Sequence, residues 1–268
     1  MTDLSGRTAL VTGSVQGIGL AIAGELAKAG ARIAVHGIAD DIQIAEACQH
    51  LRDLGAPEAE FFGGDMRFPD QIAELMQAVE GWGGADILVN NAGIQHTAPI
   101  ADMPTEKWDA ILAINLSAAF HTMQHAMPKM AERGYGRVIN ISSVHGLIAS
   151  PEKAPYTAAK FGLIGLSKVA ALEYAKAGNR ATGGVTVNCI CPGWTETAII
   201  EPQITARAEA LGGVDRDAAI ADLLSEKQPS RRTNTPEEIG ALSVWLCNPV
   251  AHNITGTAIP MDGGWTSQ

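Results

Sequence analysis

Arg7-Thr8-Ala9-Leu10-Val11-Thr12-Gly13-Ser14-Val15-Gln16-Gly17-Ile18-Gly19 is the stretch on which the fold turns. Arg7–Val11 reads as a short buried strand, bounded by Gly6 and by Thr12-Gly13. A brief apolar run between turn residues suits a strand covered on both faces. An apolar helical stretch follows from Ile18 through Ala29 and stops at Gly30. A strand, a glycine-rich turn and a helix N-terminus form an anion cradle. The glycines let backbone N–H groups approach a pyrophosphate, and the helix dipole favours its charge. Gly13, Gln16, Gly17, Ile18 and Gly19 are the candidates to line it, at the spacing G-x-x-x-G-x-G.

Outward from this unit, strand-like and helix-like segments alternate. Strands are expected at Arg7–Val11, Arg32–His36, Glu60–Phe62, Ile87–Asn90, Arg137–Ile141, Thr186–Ile190 and Thr257–Met261. Helices are expected at Ile18–Ala29, Asp41–Leu54, Pro69–Val79, Trp108–Ala131, Tyr156–Ala177 and Pro236–Cys247. Apolar strands separated by helices call for a parallel sheet covered on both faces. The reading is α/β: one Rossmann-like, doubly wound domain over residues 1–268, with about seven strands and ligand at their C-terminal edge. Ala177–Gly184 is an enlarged loop. Residues 193–228, more polar and with two helical patches, are expected to form a lid.

Composition narrows the function classes. The 268 residues are 46% hydrophobic and 18% charged, which suits a folded protein with a substantial core. A formal net charge of −10 without a basic cluster argues against nucleic acid as a partner. Four cysteines at 48, 189, 191 and 247 contain no C-x-x-C, and no zinc-ligand spacing occurs, so no metal is expected. These features and the absence of an apolar leader or span point to the cytoplasm and away from membranes.

Chemistry enters at Tyr156-Thr157-Ala158-Ala159-Lys160, with Ser143 thirteen residues upstream of the tyrosine. On a helix, Tyr156 and Lys160 share one face. A free phenol titrates near ~10, and a neighbouring ammonium favours the phenolate and lowers that value. Ser143 can hydrogen-bond the same substrate oxygen. The trio suits proton transfer at a carbinol or carbonyl oxygen, and the N-terminal cradle suits a hydride acceptor.

Thr12-Gly13, Gly17, Gly19, Asn90-Asn91-Ala92-Gly93, Asn115, Ser143, Tyr156, Lys160, Pro192-Gly193 and Asp262-Gly263-Gly264 together resemble the short-chain dehydrogenase/reductase superfamily. The match covers nearly the whole chain in the expected order. The resemblance implies that Ser143 positions the substrate oxygen, that Tyr156 is the acid/base, and that Lys160 lowers its pKa and binds the nicotinamide ribose. It implies that Asn115 supports a proton-relay water, where a plain helix cap or kink is the competing reading. Asp65 is the implied adenine contact. Asn91, Ala92 and Gly93 are implied at the ribose, and Pro192 and Gly193 at the cofactor. Ser142 is read as facing the cofactor or satisfying backbone.

The cofactor expectation is NAD rather than NADP. The second strand runs into His36-Gly37-Ile38-Ala39-Asp40-Asp41. Gly37 stands where relatives that use NAD often carry aspartate, but no arginine follows and two aspartates would repel a 2′-phosphate. His36 is read as a neutral strand-end histidine.

Gln95, His145, Lys153 and Gln203 would surround a pocket with donors suited to a small carboxylate, walled by Trp194 and Trp265. These positions, with Ala-Gly-Ile-Gln-His, His-Gly-Leu-Ile-Ala-Ser-Pro and Asp-Gly-Gly-Trp, resemble one branch of the superfamily, the bacterial D-3-hydroxybutyrate dehydrogenases. The substrate so implied is a small hydroxy or keto acid. A solvated Lys153, a lid Gln203 without a ligand and a His145 bonded to backbone are the competing readings. Other small hydroxy acids, polyols or cyclic alcohols are the alternative substrates, and a non-catalytic nicotinamide sensor is the alternative class. Glu196 beside such a pocket is unfavourable unless it points away. The superfamily also implies a homotetramer.

Overall fold

The computed structural model describes residues 2–197 and 200–267. Among these, seven strands form one parallel sheet: β1 (Thr8–Val11), β2 (Arg32–Val35), β3 (Ala59–Phe61), β4 (Ile87–Asn90), β5 (Tyr135–Ile141), β6 (Gly184–Pro192) and β7 (Ala258–Met261). The spatial order is β3-β2-β1-β4-β5-β6-β7. The chain therefore winds outward from β1 in one direction, returns, and winds outward from β4 in the other. The crevice between the C-terminal ends of β1 and β4 is where such a sheet accepts a ligand.

Alternation along the strands sorts the core. Ala9, Val11, Ile33, Val35, Ile87, Val89, Ile139 and Ile141 face one layer. This layer holds α1 (Gly17–Lys28), α2 (Asp41–Asp53) and α9 (Pro236–Leu246), which pack with Ile22, Leu26, Leu51, Ile239 and Leu246. Leu10, Ala34, Leu88, Val138, Val185 and Val187 face the other layer. That layer is built by α3 (Pro69–Gly81), α5 (Ala118–Arg133) and α6 (Ala154–Tyr174). Successive strand side chains point to opposite faces, so both faces must be apolar when both are covered. Each fully buried Ile, Leu or Val contributes roughly 1.5–3 kcal/mol.

The helices begin where local chemistry allows. Asp40 with Gln43 caps α2, and Thr235 with Glu238 caps α9, each as a reciprocal capping box. The expected boundaries hold to within a few residues, with one substantive difference. The single helix expected at Trp108–Ala131 is instead α4 (Thr105–Leu112), a π-helical turn (Ala113–Ser117) and α5. The irregularity centres on Asn115, whose side chain is drawn to the backbone of Ile94.

Residues after β6 carry α7 (Glu201–Ala210) and α8 (Arg216–Leu224). These helices have a small core of their own, Ile200, Ile204, Ala219, Ile220 and Leu224, with Trp194 packed against it. Among the described residues, no helix is long and apolar enough to cross a membrane.

Candidate active site

At the end of β1 the Thr12 hydroxyl donates to the Val89 carbonyl at 3.3 Å and accepts from the N–H groups of Asn91 and Ala92, each at 3.0 Å. The Asn91 amide reaches back, donating to the carbonyls of Thr12 at 2.9 Å and Gly13 at 3.1 Å. One hydroxyl and one amide thus lock together the turns after β1 and β4. The Asn91 side chain, expected at the ribose, is engaged in this brace.

The glycine turn is built by conformation and by space. Gly13 and Gly17 have φ of +67° and +57°, a region L-residues avoid. At Gly19 a Cβ would fall 2.1 Å from the Gly13 carbonyl oxygen and 2.5 Å from Asn91 Nδ2. Helix α1 starts from Gln16 with no side-chain cap and no acidic residue in its first turn. Its first N–H groups and its dipole are therefore directed at an anion without competition from the helix itself. This cradle fits a nicotinamide cofactor's pyrophosphate.

His36 is buried, accepts the Gly13 N–H at Nδ1 (3.2 Å) and meets the Gly64 carbonyl with Nε2 (2.9 Å). The bond to the carbonyl places the proton on Nε2. Burial holds its pKa below the ordinary value, so a neutral, inward-turned ring braces the cradle. A Cβ at Gly37 would lie 2.7 Å from Val15 Cγ2, so an aspartate there requires Val15 to move. Asp65, expected at the adenine, has its carboxylate on the Arg67 guanidinium at 3.0–3.1 Å. Arg67 is the exposed member of that pair.

The residues expected to carry proton transfer lie together. Helix α6 carries Tyr156 and Lys160 on one face, and β5 runs straight into Ser142-Ser143. The Ser143 hydroxyl accepts the His145 N–H at 3.1 Å and is the hydrogen-bond partner of the Tyr156 phenol. Ser142 donates to the Lys160 carbonyl at 3.2 Å, the backbone-satisfying role. Lys160 is buried, with Nζ 2.8 Å from the Ile141 carbonyl and 5.5 Å from the Tyr156 ring centroid.

The electrostatics differ from expectation in one respect. Burial brings the Lys160 pKa down to about 8. Burial also pushes the Tyr156 phenol above its ordinary value, with only the Ser143 hydrogen bond opposing. Lys160 was expected to lower it. Here its ammonium is turned to Ile141, and desolvation dominates for both groups.

Asn115 clamps Ile94 with both ends of its amide, accepting from the N–H and donating to the carbonyl, each at 2.9 Å. The kink is thus real, and it commits one of the two N–H donors of the amide to Ile94. A water-sized cavity lies beside it, lined among others by Thr12, Asn90, Asn115 and Lys160.

The expected carboxylate pocket is assembled in part. His145 is buried, with Lys153 Nζ 3.2 Å from its Nε2. Its ring lies 6.3 Å from that of Tyr156 and 5.5 Å from that of Trp265. Burial, then the Lys153 charge, brings its pKa to about 4. Burial and the Lys227 charge hold Lys153 below the usual lysine range. Gln95 and Gln203 are exposed. Trp194 packs into the α7–α8 core, its indole Nε1 buried without a hydrogen bond.

Glu196 points away, accepting from Thr233 and, at 3.1 Å, from Arg216. Sequence reading passed over Lys227 and Gln228. Glu226-Lys227-Gln228-Pro229 has the composition of a solvated turn and no periodicity to set it apart. Yet Gln228 is buried, and Lys227 Nζ lies 5.8 Å from the Trp265 ring centroid.

Comparison with known proteins agrees with this geometry. The profile of the short chain dehydrogenase family matches residues 7–208. The chain is 48% identical to the D-beta-hydroxybutyrate dehydrogenase of Cupriavidus necator, over 99% of this chain and 100% of that one. It is 45% identical to the D-beta-hydroxybutyrate dehydrogenase of Rhizobium meliloti, over 98% and 99%. The solved structure of L-sorbose reductase from Gluconobacter frateurii, complexed with NADPH and L-sorbose, aligns with a TM-score of 0.89 at 30% identity, covering 100% of this chain and 99% of the other.

Proposed function

Since the chain belongs to the short-chain dehydrogenase family, we propose that it oxidises (R)-3-hydroxybutyrate reversibly to acetoacetate with NAD. The observation that carries the substrate class is the seating of Lys153 and His145, 3.2 Å apart, beside the Ser143–Tyr156 pair. A cation there holds a carboxylate while the adjacent phenol faces a hydroxyl. Full-length identity of 48% and 45% to two D-beta-hydroxybutyrate dehydrogenases supports the same reading.

Tyr156 takes the hydroxyl proton as oxidation proceeds, and Ser143 holds the oxygen in hydrogen-bond reach. Bound NAD supplies the hydride acceptor. Lys160, which donates to the Ile141 carbonyl, would hold the cofactor ribose and stabilise the phenolate. Asn115 supports the relay through its main chain and the adjoining water-sized cavity, because its amide is held by Ile94. Gly13, Gln16, Gly17, Ile18, Gly19, Ala92, Gly93, Pro192 and Gly193 form the cofactor surface, with Asp65 at the adenine. Gln95 and Gln203 reach the substrate from exposed positions, and Trp194 and Trp265 wall its apolar side.

NAD is favoured over NADP because no basic side chain lies between His36 and Asp41 and His36 is neutral and inward-turned. The NADPH of the solved sorbose reductase makes this a point to measure. Residues 193–228 act as a lid on one domain spanning 1–268, as their separate small core suggests. Exposed Phe120, Phe161, Val169 and Leu172 on α5 and α6 suit burial in a homotetramer, which light scattering tests. Four free cysteines, all buried, suit a reducing cytoplasm.

The deciding experiment is initial rates with the (R) and (S) enantiomers, each with NAD and NADP. Rapid oxidation of the (R) form with NAD alone supports the proposal on every count. No turnover of either enantiomer removes the substrate. Lys153→Ala should then raise KM for (R)-3-hydroxybutyrate by roughly 10–100-fold, and an unchanged KM would dismiss the clamp.

A further inference from the structure

We propose that Lys227, delivered from the end of α8, is a second cation of the carboxylate site and sets substrate affinity together with Lys153. The inference rests on the hydroxy-acid reading above. Its basis is a continuous chain of side chains: Lys153 contacts His145 at 3.2 Å, His145 stacks edgewise with Trp265 at 5.5 Å, and Lys227 Nζ stands 5.8 Å from the Trp265 ring centroid. The two lysines come from segments 74 residues apart in the chain, 227 less 153, and meet only at this pocket.

The segment carrying Lys227 is anchored rather than loose. Its neighbour Gln228 is buried, accepts the Trp194 N–H at 3.3 Å and donates to the Arg232 carbonyl. Two glycines leave room for it: a Cβ at Gly193 would lie 2.7 Å from Gln228 Oε1, and one at Gly263 would lie 2.7 Å from Gln228 Cγ. Ser230 N–H bonds the Gly263 carbonyl at 3.0 Å. The turn bearing Lys227 is therefore pinned to the ends of β6 and β7, which also bound the site.

Electrostatics give the arrangement a purpose. Each lysine disfavours the charge of its neighbours: Lys227 acts on Lys153, and both act on His145. Converging like charges on a half-buried site destabilises it until an anion arrives, and that relief is realised only in the complex. A short hydroxy or keto carboxylate is the anion that also reaches Tyr156.

The test uses the full-length enzyme with Lys227→Met and Lys227→Arg. Measured are kcat and KM for (R)-3-hydroxybutyrate, the inhibition constant of acetate as a carboxylate probe, and Tm. Lys227 is exposed, so its screened charge is worth up to about fivefold. The expected result is a rise of about fivefold in both KM and the acetate constant for Lys227→Met, with kcat within about twofold and Tm unchanged. Lys227→Arg should restore both. Unchanged KM and acetate inhibition in Lys227→Met overturn the inference while leaving the proposed reaction standing. A lowered Tm with no rescue by arginine also overturns it, in favour of a packing role. Wild-type enzyme that neither oxidises 3-hydroxybutyrate nor is inhibited by acetate overturns the reaction, and this inference with it.

Discussion

Lys153 places its ammonium 3.2 Å from Nε2 of His145, so that nitrogen must accept and the imidazole keeps its proton on Nδ1. The ring is thereby held neutral: its pKa drops from 6.5 to about 4, through burial first and the Lys153 charge second. In the unfolded chain His145 takes a proton near 6.5, and in the folded chain only near 4. Between those values the unfolded state binds the extra proton, so stability falls as pH is lowered through this window and levels off below it. The full effect is on the order of 3 kcal/mol. His145→Gln should flatten this part of the stability curve, measured by urea unfolding between pH 6.5 and 4. A curve as steep as wild type would assign the acid sensitivity to other groups.

Tyr156→Phe removes the proposed proton acceptor and keeps the ring packing beside His145. Turnover should fall by about 10²–10⁴-fold, while NADH binding, followed by fluorescence, stays within about threefold. A sensor without catalysis would instead show whatever turnover the wild type has, undiminished.

Gly19→Ala forces a methyl to within 2.1 Å of the Gly13 carbonyl. The glycine turn or the start of α1 must shift, at a cost of about 1–3 kcal/mol. NADH affinity should fall at least about tenfold, and titration against Gly165→Ala supplies the control, because a Cβ at Gly165 meets nothing within 4 Å. Equal affinities in the two variants would free the cradle from its proposed role.

Asn140 sits in the sheet, accepting from Asn90 at 2.8 Å and donating to Ser167 at 2.7 Å. Thr122 donates in turn to Asn90, at 2.7 Å, and Ser167 to the Leu163 carbonyl, at 2.6 Å. This buried network ties β4 and β5 to α5 and α6, beneath the proposed catalytic face. Asn140→Leu leaves the buried Asn90 amide N–H without its acceptor and should cost about 1–3 kcal/mol. Denaturant unfolding would register the loss. A variant as stable as wild type would show that the network is dispensable.

The seven strands were legible because a doubly covered sheet imprints short apolar runs on the chain, as at Ile87–Asn90. The glycine cradle was legible because Gly13 and Gly19 are required by backbone conformation and space. The broken helix at Asn115 was not. Its apolar pattern continues through residues 113–117, and the bend arises from hydrogen bonds to Ile94, 21 residues away. Glu196 stood in the sequence as an awkward charge, and only Arg216 and Thr233, distant in the chain, show where it turns.

By itself the sequence determined the kind of fold and the glycine turn, and it singled out Ser143, Tyr156 and Lys160 as the proposed catalytic set. Each depends on residue type at short spacing, where backbone geometry leaves few alternatives. Tertiary structure decided which polar side chains remain directed at a ligand. It committed Asn91 to Thr12 and Gly13, Asn115 to Ile94 and His36 to Gly64. It also brought Lys227 alongside Trp265. Hydrogen-bond partners and local charge are properties of what packs together, and packing joins residues that the chain order keeps far apart.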